Sequence, residues 1–337
     1  MRRVWLLTWC CFVALPFVPL ERGGAQDAAV LRMASLAPSG SGADRVFQQF
    51  AERLKQYSGG RVRVRMYNGG VAGDERDVIR KMRVGQLEGA ALTSVGLAQI
   101  VRSVLVLQLP GLFTSRGQLE RVRHTLADDF AAQFEAAGYV LLGWGDVGDR
   151  RIFSQQRIAA PRDLLRARPW VWREDPMGAE LMAIIGANGV PLALPEVMAA
   201  LQTGMVDTVT ATALTAVGLQ WFRFVKYMSK STGEPVLGAT VVRKPWFDAL
   251  PAEAQSGLKR ASKEVEVALA AQVGREDARA AQVLIARGMK EVDMMAQKSE
   301  WEPVLKELAR RLTGRVYTRE LLERATKAAR SPSAEGR

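Results

Sequence analysis

Few side chains in this sequence have reactive potential. His124 is the single histidine. It stands in the charged run "ERVRHTL" (120–126), where a surface position is expected and no nucleophile–carboxylate partnership of the Ser–His–Asp kind is in view. The two cysteines, Cys10 and Cys11, both fall within the first 25 residues. The rest of the chain therefore has no thiol nucleophile, disulfide or thiolate ligand, and one histidine leaves too few ligands for a transition-metal site. Most carboxylates lie in helical stretches with basic neighbours, the texture of solvated ion pairs. There is no GxxxxGK[ST] and no GxGxxG after a strand. The usual parts of an enzyme are missing, and neither a metal nor a cofactor is expected.

The chemistry that is present is aromatic. "ARPWVWREDP" (167–176) sets Trp170 and Trp172 two apart, so a strand places both indoles on one face. Each offers a broad apolar surface and one N–H that needs a partner when buried. Asp175 and Pro176 that follow read as an N-cap and first residue of a helix.

The chain has 337 residues, 48% hydrophobic and 24% charged, enough for two globular domains. Its formal charge is +12; without Arg2, Arg3, Glu21 and Arg22 the balance is 44 basic against 34 acidic residues, or +10. The basic residues are scattered, and no zinc-finger or RNP-type signature accompanies them. They read as an arginine-rich solvated surface, and no nucleic-acid partner is expected. Arg2-Arg3, an uncharged apolar run from Val4 to Leu20 and small residues at Gly23 and Ala25 describe a secretory signal peptide (1–25) cleaved after Ala25. A membrane anchor is the alternative, disfavoured by Pro16, Pro19 and a length near the lower limit of a span.

Periodicity supplies the elements that position the aromatic residues. "VLRMASL" (30–36) reads as a strand. A helix follows, with Val46, Phe47, Phe50, Leu54 and Tyr57 on its apolar stripe and Gly59-Gly60 at its end. "RVRVRMYN" (61–68) alternates strictly. Asp74 caps a short helix, and 87–96 is a buried strand. This β-α-β-α-β rhythm predicts an α/β sheet with mainly parallel strands. A helix over 116–137 leads into "YVLLGWGDVG" (139–148). A second unit starts near 149, with strands at "RRIFSQQ", "PWVW", "VPLAL" and "DTVTATA", the last with Thr208, Thr210 and Thr212 on one face, and helices ended by Gly186 and Gly204. Residues 251–288, 296–312 and 318–330 read as helical, and 331–337 as a loose tail.

Four segments in order carry a family resemblance: "LQLPGLF", "GWGDVGDRRIFSQQRIAAPRDL", "IIGANGVPLALPEVMAALQTGMVDT" and "QWFRFVKYMS". The chain resembles the substrate-binding proteins of TRAP transporters (DctP type) over roughly 30–320, most specifically from Gly186 to Asp207. The resemblance implies a periplasmic receptor, not an enzyme, with a two-domain, clam-shell α/β fold of the periplasmic binding protein kind. Domain I would comprise 28–148 plus about 232–275, and domain II 149–231 plus about 276–325. A cleft would lie between them, with long C-terminal helices as hinge. It implies a small-molecule ligand and membrane permease subunits as partners.

The family clamps a ligand carboxylate with arginine. Arg150 matches one such position, with Arg151 as the alternative register. The dominant arginine would stand twenty residues later, and that position is Trp170. Tryptophan gives one donor where arginine gives a planar fork, so the resemblance points to the subset lacking the clamping arginine. For that subset a hydrophobic ligand and a helical-repeat (TPR) partner are implied. Trp144, Trp172, Trp221 and Phe113 lie in segments matching cleft-lining stretches. Thr210 and Thr212, together with Thr93 and Leu36, complete the expected ligand-binding set. Trp172 suits cleft or core equally, and so does Trp221, on a stripe with Leu214, Val217 and Gly218. The leading expectation is a cleft for a small, largely hydrophobic ligand bearing at most one carboxylate. The alternatives are a receptor for an ordinary organic acid and a ligand-free assembly protein working with a TPR-type partner.

Overall fold

A computed structural model describes residues 28–113 and 115–331. The expected signal peptide (1–25) and residues 332–337 of the expected tail lie outside the described residues. The chain begins with β1 (Ala29–Ser35). Ser41 then caps α1 (Gly42–Tyr57), its hydroxyl accepting the Asp44 N–H, and Val46, Phe47, Phe50 and Leu54 turn inward, the i, i+3, i+4 stripe read from sequence. Next come β2 (Val62–Tyr67), α2 (Glu75–Arg83) with Asp74 as its N-cap, and β3 (Gly89–Thr93). The sequence reading carries this last strand to residue 96. It ends at Thr93 because the Thr93 hydroxyl accepts the Val95 N–H and opens the short α3 (Ser94–Ala98). The helix expected over 116–137 is two helices, α4 (Arg116–Thr125) and α5 (Ala127–Ala136), parted at Leu126, whose fully buried side chain fixes the break in the core.

β4 (Tyr139–Asp149) leads into β5 (Arg151–Ser154), β6 (Trp170–Trp172), α6 (Pro176–Ile185) and β7 (Val190–Leu192). After these come α7 (Val197–Thr203), β8 (Thr208–Ala211), α8 (Ala213–Gly218) and β9 (Tyr227–Ser229). Asp175 accepts the Met177 N–H ahead of Pro176, and Gly186 and Gly204 end α6 and α7 in the left-handed region. β10 (Pro235–Arg243), α9 (Lys244–Asp248), the 35-residue α10 (Ala252–Ala286), β11 (Lys290–Val292), α11 (Lys298–Leu312) and α12 (Arg319–Arg330) complete the chain.

Among the described residues the strands form a five-stranded sheet, β2-β1-β3-β10-β4, a four-stranded sheet, β11-β9-β5-β8, and a pair, β6-β7. A bridge between Pro169 and Thr208 joins that pair to the second sheet. The parallel strands expected are β1, β2 and β3. The sheets are more mixed than the sequence rhythm suggests, because β10 returns antiparallel between β3 and β4 and β5 runs antiparallel to β8 and β9. Helix α10 serves both sheets. Its first half buries Ala254, Leu258 and Ala261 with Phe50 and Leu54 of α1, and its second half buries Ala280, Ala281 and Leu284 in the core of the second sheet. Leu321, Ala325 and Ala328 of α12 join the core of the first sheet, and Arg324 makes a two-pronged contact with Asp129 of α5 (2.8 and 2.7 Å). This helix therefore sits with the first lobe, whereas the sequence grouping carries the second domain to about 325.

The crossing between lobes is pinned by a buried carboxylate. Asp277 of α10 accepts the Asp149 N–H (3.0 Å) and the Leu214 N–H (2.9 Å). Gly148, at φ 120°, lets it approach, for a Cβ there would lie 2.7 Å from the Asp277 carboxyl carbon. Burial pushes the Asp277 pKa up against those two hydrogen bonds.

Candidate functional site

Between the lobes lies a cavity of about 560 Å³ bordered by residues of both sheets and of α10, within the size range of small-molecule sites. Its second-lobe wall is aromatic. Trp170 is 8% exposed and Trp221 only 1%. Their rings meet edge-on at 5.5 Å, and Trp170 lies 5.6 Å from Trp172. The strand alternation thus does place Trp170 and Trp172 side by side. Both indole donors are engaged. Trp170 Nε1 donates to the Leu192 carbonyl (3.0 Å), fixed by the pairing of β6 with β7, and Trp172 Nε1 donates to Asp74 Oδ2 (3.0 Å). Neither N–H is therefore free to donate to a ligand in the cavity.

Asp74 links the lobes. One oxygen accepts the Glu75 N–H (2.8 Å) at the start of α2, and the other accepts both Trp172 Nε1 and the Leu194 N–H (3.3 Å) from the second lobe. Beside it, Glu75 is 1% exposed and accepts the Thr93 N–H (2.5 Å), the Thr93 hydroxyl (2.8 Å) and the Gly96 N–H (2.7 Å). Desolvation outweighs these bonds and pushes its pKa up to about 7, with the Asp74 charge adding to the rise. Glu75 so orients Thr93, which borders the cavity.

Among the described residues Arg150 is the one cationic side chain bordering the cavity. Its guanidinium donates to Gln108 Oε1 (2.9 Å), and Gln108 is held by the Leu237 N–H (3.2 Å) and the Pro235 carbonyl (2.8 Å) of β10. Arg151, the alternative register, is buried and spent on the Ser229 carbonyl (3.1 Å). Asp175 also borders the cavity; burial pushes its pKa up, opposed by the Gly178 and Met177 N–H groups and by the nearby Arg150 charge. Asp146 is neutralised by Arg116 (3.0 Å) and Arg123 (2.6 Å).

Leu36, Thr93, Trp144, Arg150, Trp170 and Trp172 all border the cavity, as do Thr210, Thr212 and Trp221. Three details differ from the reading. Phe113 does not reach the cavity but is buried in the first core among the apolar side chains of the 102–108 turn. Trp144 borders the cavity, but its ring stands edge-on to Phe130 at 5.7 Å, under the Arg123 guanidinium, and belongs mainly to that core. The threonines of "DTVTATA" are not one polar face: Thr208 is buried against Ser154 (2.7 Å), Thr210 is exposed and Thr212 caps α8. Asp74, Glu75 and Gln108 escaped the sequence reading as site residues. Gln108 did leave a signal, as the polar interruption of the apolar "VLVLQLP".

Two α/β lobes spanned by one long helix, with a cavity between them and its polar groups held in place, define a solute receptor of the periplasmic binding protein kind. The model of the bacterial extracellular solute-binding proteins, family 7 (DctP), matches residues 33–314, and the chain belongs to this family of periplasmic, non-enzymatic TRAP transporter receptors. It is similar to the C4-dicarboxylate-binding periplasmic protein DctP of Rhodobacter capsulatus, 26% identical over 273 residues and 80% of each chain. Its fold matches that of a TRAP solute-binding protein from Sulfitobacter with bound β-D-galacturonate (TM-score 0.82, 21% identity, 88% of this chain and 99% of that one). It also matches DctP7 of Bordetella pertussis, a receptor binding pyroglutamic acid (TM-score 0.82, 18% identity, 90% and 100%).

Proposed function

We propose that this receptor belongs to the subset of its family lacking the clamping arginine. In this reading it binds a small, largely hydrophobic ligand between its lobes, with at most one carboxylate, held at Arg150. The observation that carries it is the state of Trp170. It stands where the family resemblance places an arginine, it is packed between two other indoles, and its N–H is spent on Leu192. At Trp170 a second carboxylate would meet aromatic surface whose N–H is already spent, and an uncompensated buried charge is costly. The R. capsulatus, Sulfitobacter and B. pertussis relatives carry names or ligands of acids with several polar groups; here Arg150 is the one cationic side chain bordering the cavity among the described residues, beside Asp175 and neutral hydroxyls such as those of Thr93 and Thr210. We assign the first lobe to 28–148 plus 232–275 with α12, and the second to 149–231 plus 276–312. Closure of one on the other delivers the ligand to membrane permease subunits of a TRAP system.

Tryptophan fluorescence tests this reading. Octanoate and phenylacetate are expected to shift and quench the emission at micromolar concentrations, and succinate and galacturonate to leave it unchanged. Tight binding of succinate or galacturonate with no response to the apolar acids would overturn it.

A further inference from the structure

The cavity is not confined to the cleft. Alternation along the first sheet places Leu31, Met33, Val140 and Val242 under α1 and α10, and Ala90, Leu92, Ala239 and Val241 in the core on the opposite face. Ala91 and Thr240, directly paired across β3 and β10, therefore face α1 and α10. Both border the cavity, together with Phe47 and Phe50 of α1 and Val265 and Leu269 of α10. Central strands covered by helices should be fully enclosed, yet Ala91 and Thr240 are only part-buried. Their small side chains leave surface open inside the lobe. Ser262, on the α10 side of the same space, is 6% exposed, and its Oγ has no hydrogen-bond partner among the described residues, a condition that a guest's oxygen would relieve. On the β4 side the space narrows, for a Cβ on Gly145 would lie 3.0 Å from Leu269 and one on Gly143 3.4 Å from Glu266.

From this geometry we infer a second subsite, a chamber inside the first lobe between its sheet and helices α1 and α10. It takes a flexible aliphatic chain continuing from the ligand group held at Arg150. The chamber is apolar on the Phe47, Phe50 and Val265 sides, with Glu266 at its β4 edge, and the narrowing there favours a chain over a compact ring. The chain enters from the cleft, where Ser35, Thr93 and Arg150 border the same cavity. This inference rests on the receptor reading above and adds to it the ligand's shape.

The test is calorimetric titration of the mature protein with straight-chain carboxylates from hexanoate to tetradecanoate, with phenylacetate as the compact reference. Affinity is expected to rise about fourfold for each methylene over several carbons before levelling. Ala91→Leu and, separately, Thr240→Leu from the neighbouring strand fill the chamber. Each is expected to weaken dodecanoate at least tenfold while leaving phenylacetate within twofold, with native-like unfolding checked for both. If phenylacetate and hexanoate bind but affinity stays flat with length, or if both variants weaken long and short acids equally, the chamber is no subsite and the cleft reading survives. If no monocarboxylate of either shape binds, both readings fall.

Discussion

The two walls of the cavity are built on opposite principles. The second-lobe wall is filled: Trp170, Trp172 and Trp221 pack against one another, and the Trp170 and Trp172 donors are consumed by Leu192 and Asp74. The first-lobe wall is spare: Ala91 and Thr240 are small, only part-buried, and leave space beneath α1 and α10. A filled wall fixes orientation through rigid π surface. A spare wall sets how much ligand can be swallowed. At the seam between them Arg150, on the chain that crosses from one lobe to the other, is aimed by Gln108 of the first lobe. In the proposed reading, selectivity is divided between the shape of the two walls and the Arg150 charge at the seam.

The sharpest way to break this comparison is to restore the expected arginine. Trp170→Arg would set a guanidinium between two indoles at a site 8% exposed, without a carboxylate partner. The expected result is a loss of about 3–5 kcal/mol of unfolding free energy in urea and no gain in succinate affinity. Native-like stability with new dicarboxylate binding would show that the aromatic wall is only a disguised clamp.

On the spare side, Glu75 holds Thr93, and its effect is a dependence on pH. Its folded pKa of about 7 lies above the ordinary 4.5, so the folded state binds the proton more tightly than the unfolded chain. The associated stability is fully present below pH 4.5 and is lost as pH rises through 7, by on the order of 3 kcal/mol. Asp175 and Asp277, also raised by burial, add slopes of the same sign. The difference between wild type and Glu75→Gln isolates the one at issue. Urea unfolding from pH 4 to 8 should show a shallower decline in the variant, and identical profiles would remove Glu75 as its source.

What was legible in the sequence follows the same division. The filled wall announced itself, because "WVW" alternates and indoles are rare and large. The capping residues Asp74 and Asp175 were equally plain, since a cap is decided within a few residues of chain. The spare wall was invisible, for Ala91 and Thr240 look like ordinary strand residues until α1 and α10 are placed over them. The second oxygen of Asp74 was hidden likewise, its partner Trp172 being 98 residues away. Phe113 was harder to place, because an apolar ring beside a Pro-Gly turn suits a cleft or a core, and only the assembled first core shows it buried. The antiparallel return of β10 depends on a strand pairing of high sequence separation, which periodicity does not encode.

At the seam, Arg150→Gln keeps a donor but removes the charge. Hydrogen bonds to charged groups contribute about 1.5–3 kcal/mol, so the affinity for octanoate should fall about ten- to a hundredfold, with octanamide unaffected. An equal loss for both ligands would mean that Arg150 shapes the cavity and does not read charge.

The smallest effect, and the one that tells a latch from a cap, is at Asp74. Asp74→Ala removes the N-cap of α2, worth about 1 kcal/mol, and deprives the Trp172 and Leu194 N–H groups of their acceptor. Asp74→Asn caps nearly as well but puts an amide donor where one of the two oxygens stood. If Asp74 only caps, Asn should behave as wild type. If it also latches, Asn should keep the stability and still loosen the lobes. Because the chain beyond residue 25 has no cysteine, the pair Val84→Cys and Met205→Cys, at sites 68% and 54% exposed, can carry spin labels on α2's end and on the second lobe. The expected outcome is a longer and broader distance distribution in both Asp74 variants, with a measurable loss of unfolding free energy in Asp74→Ala alone. An unchanged distribution in both would reduce Asp74 to a cap and leave the contact between the filled and spare walls to be held by packing.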